Sequence, residues 1–153
     1  MTMISKELSI GRAGQYLVLA DLLLKGIETF GTGEGTNYDV VADDDGKLIR
    51  IQVKTTQQPR VLRTHANPIY FYHLKRTGKN GSRFYKVGDF DAFALVALDI
   101  RQVFYLPFDE SVKANSLCIR DKNIEYKAQA MGGKKNGLYY QDLTWEALCQ
   151  KLL

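Results

Sequence analysis

The dipeptide Asp45-Gly46 constrains this chain more than any other feature. It lies between two runs rich in Val and Ile, residues 38–43 and 47–56. A two-residue hairpin turn needs positive φ at both central positions, and Asp-Gly accepts that conformation readily. The pattern therefore predicts two antiparallel strands in which paired residue numbers sum to 91. Asp39 then faces Gln52, and Lys54, two residues further on, points to the same side. The opposite side carries Val40, Ala42, Ile49, Ile51 and Val53, a wholly apolar set that reads as core. The first side carries Asp39, Val41, Asp43, Leu48, Arg50, Gln52 and Lys54.

The segments around this hairpin alternate between helical and strand periods. Ile10, Ala13, Gly14, Leu17, Ala20, Asp21 and Leu24 fall near helical spacing, and Leu19, Leu22 and Leu23 widen the stripe. Ser5 or Ser9 supplies a cap, and Gly26 ends the helix. A strand over 27–30 leads into a Gly-rich loop, GTGEGTN (31–37), which has no Gly-Lys-Ser/Thr and is not a P-loop. Strands over 68–74 and 84–87 bracket a basic loop, KRTGKNGSR (75–83). Residues 91–99 (DAFALVALD) are nearly all apolar, as expected for a central strand buried on both faces, with 103–106 as its hairpin partner. Asp142 is placed to cap a final helix over 143–152; residues 113–141 carry no clear period. The order gives an α/β fold with a mixed sheet, as one domain over 1–153.

A chain that is 45% hydrophobic, 11% aromatic and 25% charged is globular rather than disordered or fibrous. No run of apolar residues is long enough to span a membrane, and the first 26 residues are too polar for a signal peptide. The expectation is a cytoplasmic protein that is not secreted, with Cys118 and Cys149 as buried, reduced thiols. His65 and His73 lack a second ligand pair and do not suggest zinc.

Charge is unevenly spread. Residues 46–88 hold ten Lys and Arg and no Asp or Glu. That stretch is +10 in a chain of net +4, so the remainder is −6. A segregated basic segment suits a polyanion, most often nucleic acid. Tyr70, Phe71, Tyr72, Phe84 and Tyr85 are interleaved with it; on strands such rings are expected in the core.

Asp39, Gln52 and Lys54 on one face suit phosphodiester hydrolysis. Mg²⁺ takes oxygen ligands, usually with one or two carboxylates. Asp39 offers a carboxylate, Gln52 an amide oxygen, and Val53 a main-chain carbonyl between the two side chains. Lys54 is placed to orient a water or to stabilise charge developing on phosphate.

These residues carry a resemblance. GRAGQ (11–15), NYD (37–39), IQVKT (51–55), Tyr85 with DFDAFALVALD (89–99), and VFYLP (103–107) follow one another in an order similar to the PD-(D/E)XK nuclease superfamily, in particular its branch of group I intron homing endonucleases. The resemblance covers roughly residues 10–108. It implies a restriction-endonuclease-like core and a DNA endonuclease that uses Mg²⁺, with Mn²⁺ as a substitute. Asp39, Gln52 and Val53 would hold metal, Lys54 would assist the water, and Gln15 would stand where the family's helix usually carries a Glu. Glu7 or Glu34 is the candidate replacement carboxylate. Arg60, Arg63, Lys75, Arg76, Lys79 and Arg83 would contact DNA. One site cuts one strand, so a double-strand cut implies a homodimer or higher homo-oligomer. The alternative is a DNA-binding module on a nuclease fold that no longer cuts, for which Gln15 is the motivating feature.

Overall fold

The computed structural model describes residues 4–33, 35–62, 67–78, 81–110, 112, 115–126 and 137–152. The elements in order are α1 (Lys6–Leu24), β1 (Glu28–Gly31), β2 (Val40–Asp44), β3 (Lys47–Thr56), β4 (Tyr70–His73), β5 (Lys75–Gly78), β6 (Gly81–Phe84), β7 (Ala92–Ala97), β8 (Gln102–Pro107), β9 (Ser116–Arg120), β10 (Leu138–Tyr139), a 3₁₀ turn (Tyr140–Asp142) and α2 (Trp145–Leu152).

The β2–β3 hairpin pairs as expected, from Val40 with Ile51 to Asp44 with Lys47. Asp45 and Gly46 have φ of 53° and 86°, the double left-handed turn that the dipeptide tolerates. The Asp43 carboxylate accepts from the Gly46 N–H at 2.8 Å and closes the turn.

Five strands make the main sheet, in the order β1-β2-β3-β7-β8. β3 and β7 run parallel; the other neighbours are antiparallel. All six β7 residues are buried, as the apolar run demanded. Ala92, Ala94 and Val96 join Val40, Ala42, Ile49, Ile51 and Val53 on the face that packs against Val18 and Leu22 of α1 and Trp145 and Leu148 of α2. Phe93, Leu95 and Ala97 face the other way, toward a three-stranded sheet in the order β10-β9-β4, and pack with Tyr70, Tyr72, Phe104 and Ile119. The result is a layer of helices, a mixed sheet and a second small sheet. β5 and β6 form a separate two-stranded ribbon.

Several sequence expectations are corrected. Ser5, not Ser9, caps α1, accepting from the Leu8 N–H at 3.2 Å. The buried line of α1 is Gly14, Val18 and Leu22, whereas Ala13, Ala20 and Leu24 face outward. Gly14 is required there: a Cβ built on it would lie 1.8 Å from Thr55 Oγ1, so the absent side chain lets the helix touch β3. Within 75–83 the described residues are strand rather than loop, in β5 and β6, and the strand placed at 84–87 ends at Phe84. Gly81, the first residue of β6, has a φ of 92°. Residues 113–141 contain β9 and β10. Thr144 rather than Asp142 caps α2, accepting from the Ala147 N–H at 3.1 Å, because Asp142 ends the 3₁₀ turn. Cys118 and Cys149 are free and half-buried rather than buried. Burial, with Asp44 at 3.4 Å, pushes the Cys149 thiol up to about 11. No described helix is long and apolar enough to cross a membrane.

Candidate active site

Asp39 stands one residue before β2, where the ladder with β3 runs out. Its N–H still donates to the Ile51 carbonyl, at 2.9 Å, and its own carbonyl accepts from the Thr32 N–H at 2.9 Å. The main chain is thus fixed from both sides. The side chain then takes over from the ladder: Oδ2 accepts the Val53 N–H at 2.9 Å and the Gln52 Nε2 at 2.8 Å. Hydrogen bonds to a charged acceptor are each worth roughly 1.5–3 kcal/mol. The turn before it is also tied down, since the Thr32 and Thr36 hydroxyls both donate to the Tyr38 carbonyl.

The Gln52 amide nitrogen sits between two oxygens, with the Val53 carbonyl at 3.4 Å on its other side. A donor at that point marks where a carboxylate and a main-chain carbonyl converge. These are hard oxygen ligands, the kind Mg²⁺ and Mn²⁺ accept, and turning the amide would present a third. No group of three or more His, Cys, Asp and Glu that could hold a metal occurs among the described residues. A cation here would therefore be held by one carboxylate, neutral oxygens and the substrate's own phosphate, a pattern that suits Mg²⁺.

Lys54 reaches the same place. Its Nζ donates to the Lys75 carbonyl at 3.1 Å and lies 5.0 Å from the centroid of the Tyr85 ring. Asp39, Gln52 and Lys54, with Thr36, Asn37, Lys75 and Tyr85, line a polar cleft of about 250 Å³.

Three expected site residues thus meet, and Lys75 joins them. Gln15 and Glu7 do not line this cleft: Gln15 is half-buried on α1 and Glu7 is exposed in its first turn. Glu34 lies outside the described residues, as do Arg63, Lys79 and the side chain of Arg76. Of the basic residues that are described, Arg60 stacks on Phe71 at 5.2 Å and bridges to Ile69 through its main chain. Arg83 is exposed on β6, with its main chain paired to that of Arg76. Arg50 is committed elsewhere: its Nη2 and Nε meet the two Asp91 oxygens at 3.0 and 3.2 Å. Burial works to raise the Asp91 carboxyl, but the side-chain and main-chain hydrogen bonds from Arg50 outweigh it and hold the pKa below the usual range.

Sequence reasoning missed Thr36, Asn37 and Tyr85. Asn37 had a signal, its place in NYD beside Asp39. Tyr70 and Tyr72 are core as expected, but Phe84 is exposed and Tyr85 faces the cleft.

Comparison with known proteins bears on the fold and the family. No curated protein matches the chain. A solved structure described as that of a bacterial homing endonuclease, I-Ssp6803I, has a similar fold, with a TM-score of 0.64 at 20% identity, covering 83% of this chain and 86% of that one. The model of the PD-(D/E)XK endonuclease family matches residues 6–132, most of the chain and every described element of the cleft. On that match the chain belongs to the PD-(D/E)XK endonuclease family.

Proposed function

We propose that this protein is a metal-dependent endodeoxyribonuclease, acting in the cytoplasm as a homodimer or larger homo-oligomer, with residues 1–153 forming one catalytic domain. The observation that carries the reading is the meeting of the Asp39 carboxylate, the Gln52 amide and the Lys54 ammonium in one polar cleft. Family membership and the +10 segment support it.

Asp39 and the Val53 carbonyl, with the Gln52 amide oxygen, would hold Mg²⁺ or Mn²⁺. Such an ion, when bound, polarises the phosphate and makes a bound water more acidic. Asp39 is the anchor, because two donors already fix its carboxylate. Lys54 holds the attacking water by hydrogen bond, or neutralises charge on the phosphate as it builds. Lys75 and Arg83 on the ribbon, with Arg60, and with Arg63, Arg76 and Lys79, grip the sugar-phosphate backbone.

Nicking of supercoiled plasmid with Mg²⁺ or Mn²⁺ tests this, with Lys54→Ala as the reference. Cleavage by the natural protein should exceed that of Lys54→Ala by at least about a hundredfold. A rate no higher than that of Lys54→Ala on supercoiled, linear and branched DNA alike refutes the enzyme.

One observation favours a second reading. Asp39 is the only carboxylate among the described residues lining the cleft, and Gln15 does not reach it. A module that binds DNA without cutting it would show salt-dependent binding and no saturable Mn²⁺ binding by calorimetry, even with DNA present.

A further inference from the structure

The ribbon and the cleft share atoms. Lys54 Nζ is held from two sides, by the Lys75 carbonyl at 3.1 Å and the face of Tyr85 at 5.0 Å. Lys75 opens β5, and Tyr85 directly follows β6. Lys75 also pairs with Phe84 across the ribbon, so these groups form its base. The base is anchored in the core: the Tyr85 ring packs edge-on against Phe90 and Phe93, at 5.0 and 6.0 Å, and Phe90 stacks on Phe108 at 4.5 Å. Just before β5, buried Leu74 donates its N–H to the Asn115 carbonyl at 2.9 Å. Beyond its base the ribbon pairs only with itself among the described strands.

We propose that the base of the β5–β6 ribbon is a cradle that positions Lys54, with Tyr85 and the Lys75 carbonyl as its two walls. One element then sets both the path of the basic ribbon along DNA and the direction of the Lys54 ammonium in the cleft. A lysine has four rotatable bonds and is costly to hold in one direction. A carbonyl acceptor and an aromatic face, both presented by an ordered hairpin, meet that cost before substrate arrives. The inference rests on the nuclease reading for the use made of Lys54, but not for the cradle itself.

Two measurements test it. In the first, lysines are reductively methylated with ¹³C, and the Lys54 signal is assigned by its loss in Lys54→Arg. Ring current from Tyr85 should place that signal upfield of the lysines that face no ring (Lys75 faces Phe84 at 5.1 Å) in the natural protein and in Tyr85→Phe, and return it to their common position in Tyr85→Leu. A Lys54 signal already at the common position in the natural protein overturns the cradle, whatever the cleavage assay shows.

The second measurement compares single-turnover nicking with DNA affinity. Tyr85→Leu should cut about tenfold more slowly, the size of one lost cation–π contact, with its dissociation constant for duplex DNA within about twofold. Tyr85→Phe should stay within about threefold of the natural rate. Tyr85→Leu cutting at the natural rate, Tyr85→Phe as slow as Tyr85→Leu, or affinity falling in step with rate each overturn the positioning role. A natural protein that shows the shifted lysine yet never cuts overturns the nuclease reading and leaves the cradle standing.

Discussion

Replacing Gly14 with Ala should destabilise the protein, although Gly→Ala inside a helix ordinarily does the reverse. Helix propensity alone favours Ala over Gly by about 0.8–1 kcal/mol. At position 14 the new Cβ would lie 1.8 Å from Thr55 Oγ1 and 2.9 Å from both Thr55 Cβ and Cγ2. Turning the Thr55 side chain cannot clear the Cβ contact, so α1 and β3 must separate. Overpacking of this kind costs typically about 1–3 kcal/mol, and three contacts under 3.0 Å put this site at the upper end. The net loss is then about 2 kcal/mol, or a fall in Tm of about 4–8 °C for a chain of this size. Gly11 is the internal control: it lies in the same helix, and a Cβ there meets nothing within 4 Å. Gly11→Ala should raise stability by about 0.5–1 kcal/mol through propensity alone. Thermal melting by circular dichroism measures both. A Gly14→Ala protein that melts at or above the natural one, or a Gly11→Ala protein that falls with it, refutes the reasoning. The site gives a second readout, because Thr55 directly follows Lys54 and any shift of β3 moves the cleft with it.

Three further outcomes follow from the hydrogen bonds. Asp39→Asn should keep Tm within a few degrees, since both donors meet the same oxygen and an amide oxygen can replace it, but should abolish Mn²⁺ binding by calorimetry. Asp39→Ala strands the Val53 N–H and should cost about 1–3 kcal/mol in a denaturant titration. Asp91 is held below its ordinary value of 3.8, so its contribution is present above that value and lost as pH falls through the lower folded-state pKa. The stability gap between the natural protein and Asp91→Asn, about 1 kcal/mol at pH 7 for a pair this exposed, should therefore close as pH drops below about 4; a gap that is unchanged at pH 3 contradicts the pairing.

The β2–β3 hairpin was legible because two local rules act together on it. Asp45-Gly46 sets the turn, and the two-residue period of a strand then carries Asp39, Gln52 and Lys54 to one side with no long-range information. Burial of 92–97 followed from composition in the same way. What was not legible depends on contacts distant in sequence. Arg50 looked available for a polyanion, but its partner Asp91 lies 41 residues away, across the parallel β3–β7 pairing. Tyr85 reads as any strand aromatic until β6 ends one residue before it and leaves its ring at the cleft. Gln15 and Glu7 show the converse limit. The resemblance assigned Gln15 to the site and Glu7 as a candidate replacement, but where α1 docks depends on Gly14 against Thr55, and neither side chain lines the cleft.

The parallel pairing of β3 with β7 also bears on how such a protein can change. Parallel neighbours cannot be joined by a tight turn, so a long excursion of chain between them is obligatory. Here that excursion carries β4 and the ribbon, whereas Asp39, Gln52 and Lys54 all precede it. The groups proposed to cut and the element proposed to grip are therefore written in separate stretches of sequence and can drift at different rates. Two contacts between them lie at the ribbon's base, Lys54 with the Lys75 carbonyl and with the Tyr85 ring. On the roles proposed above, a ribbon lengthened, shortened or exchanged beyond the Lys75–Phe84 pair would alter what the protein holds and keep the two contacts to Lys54.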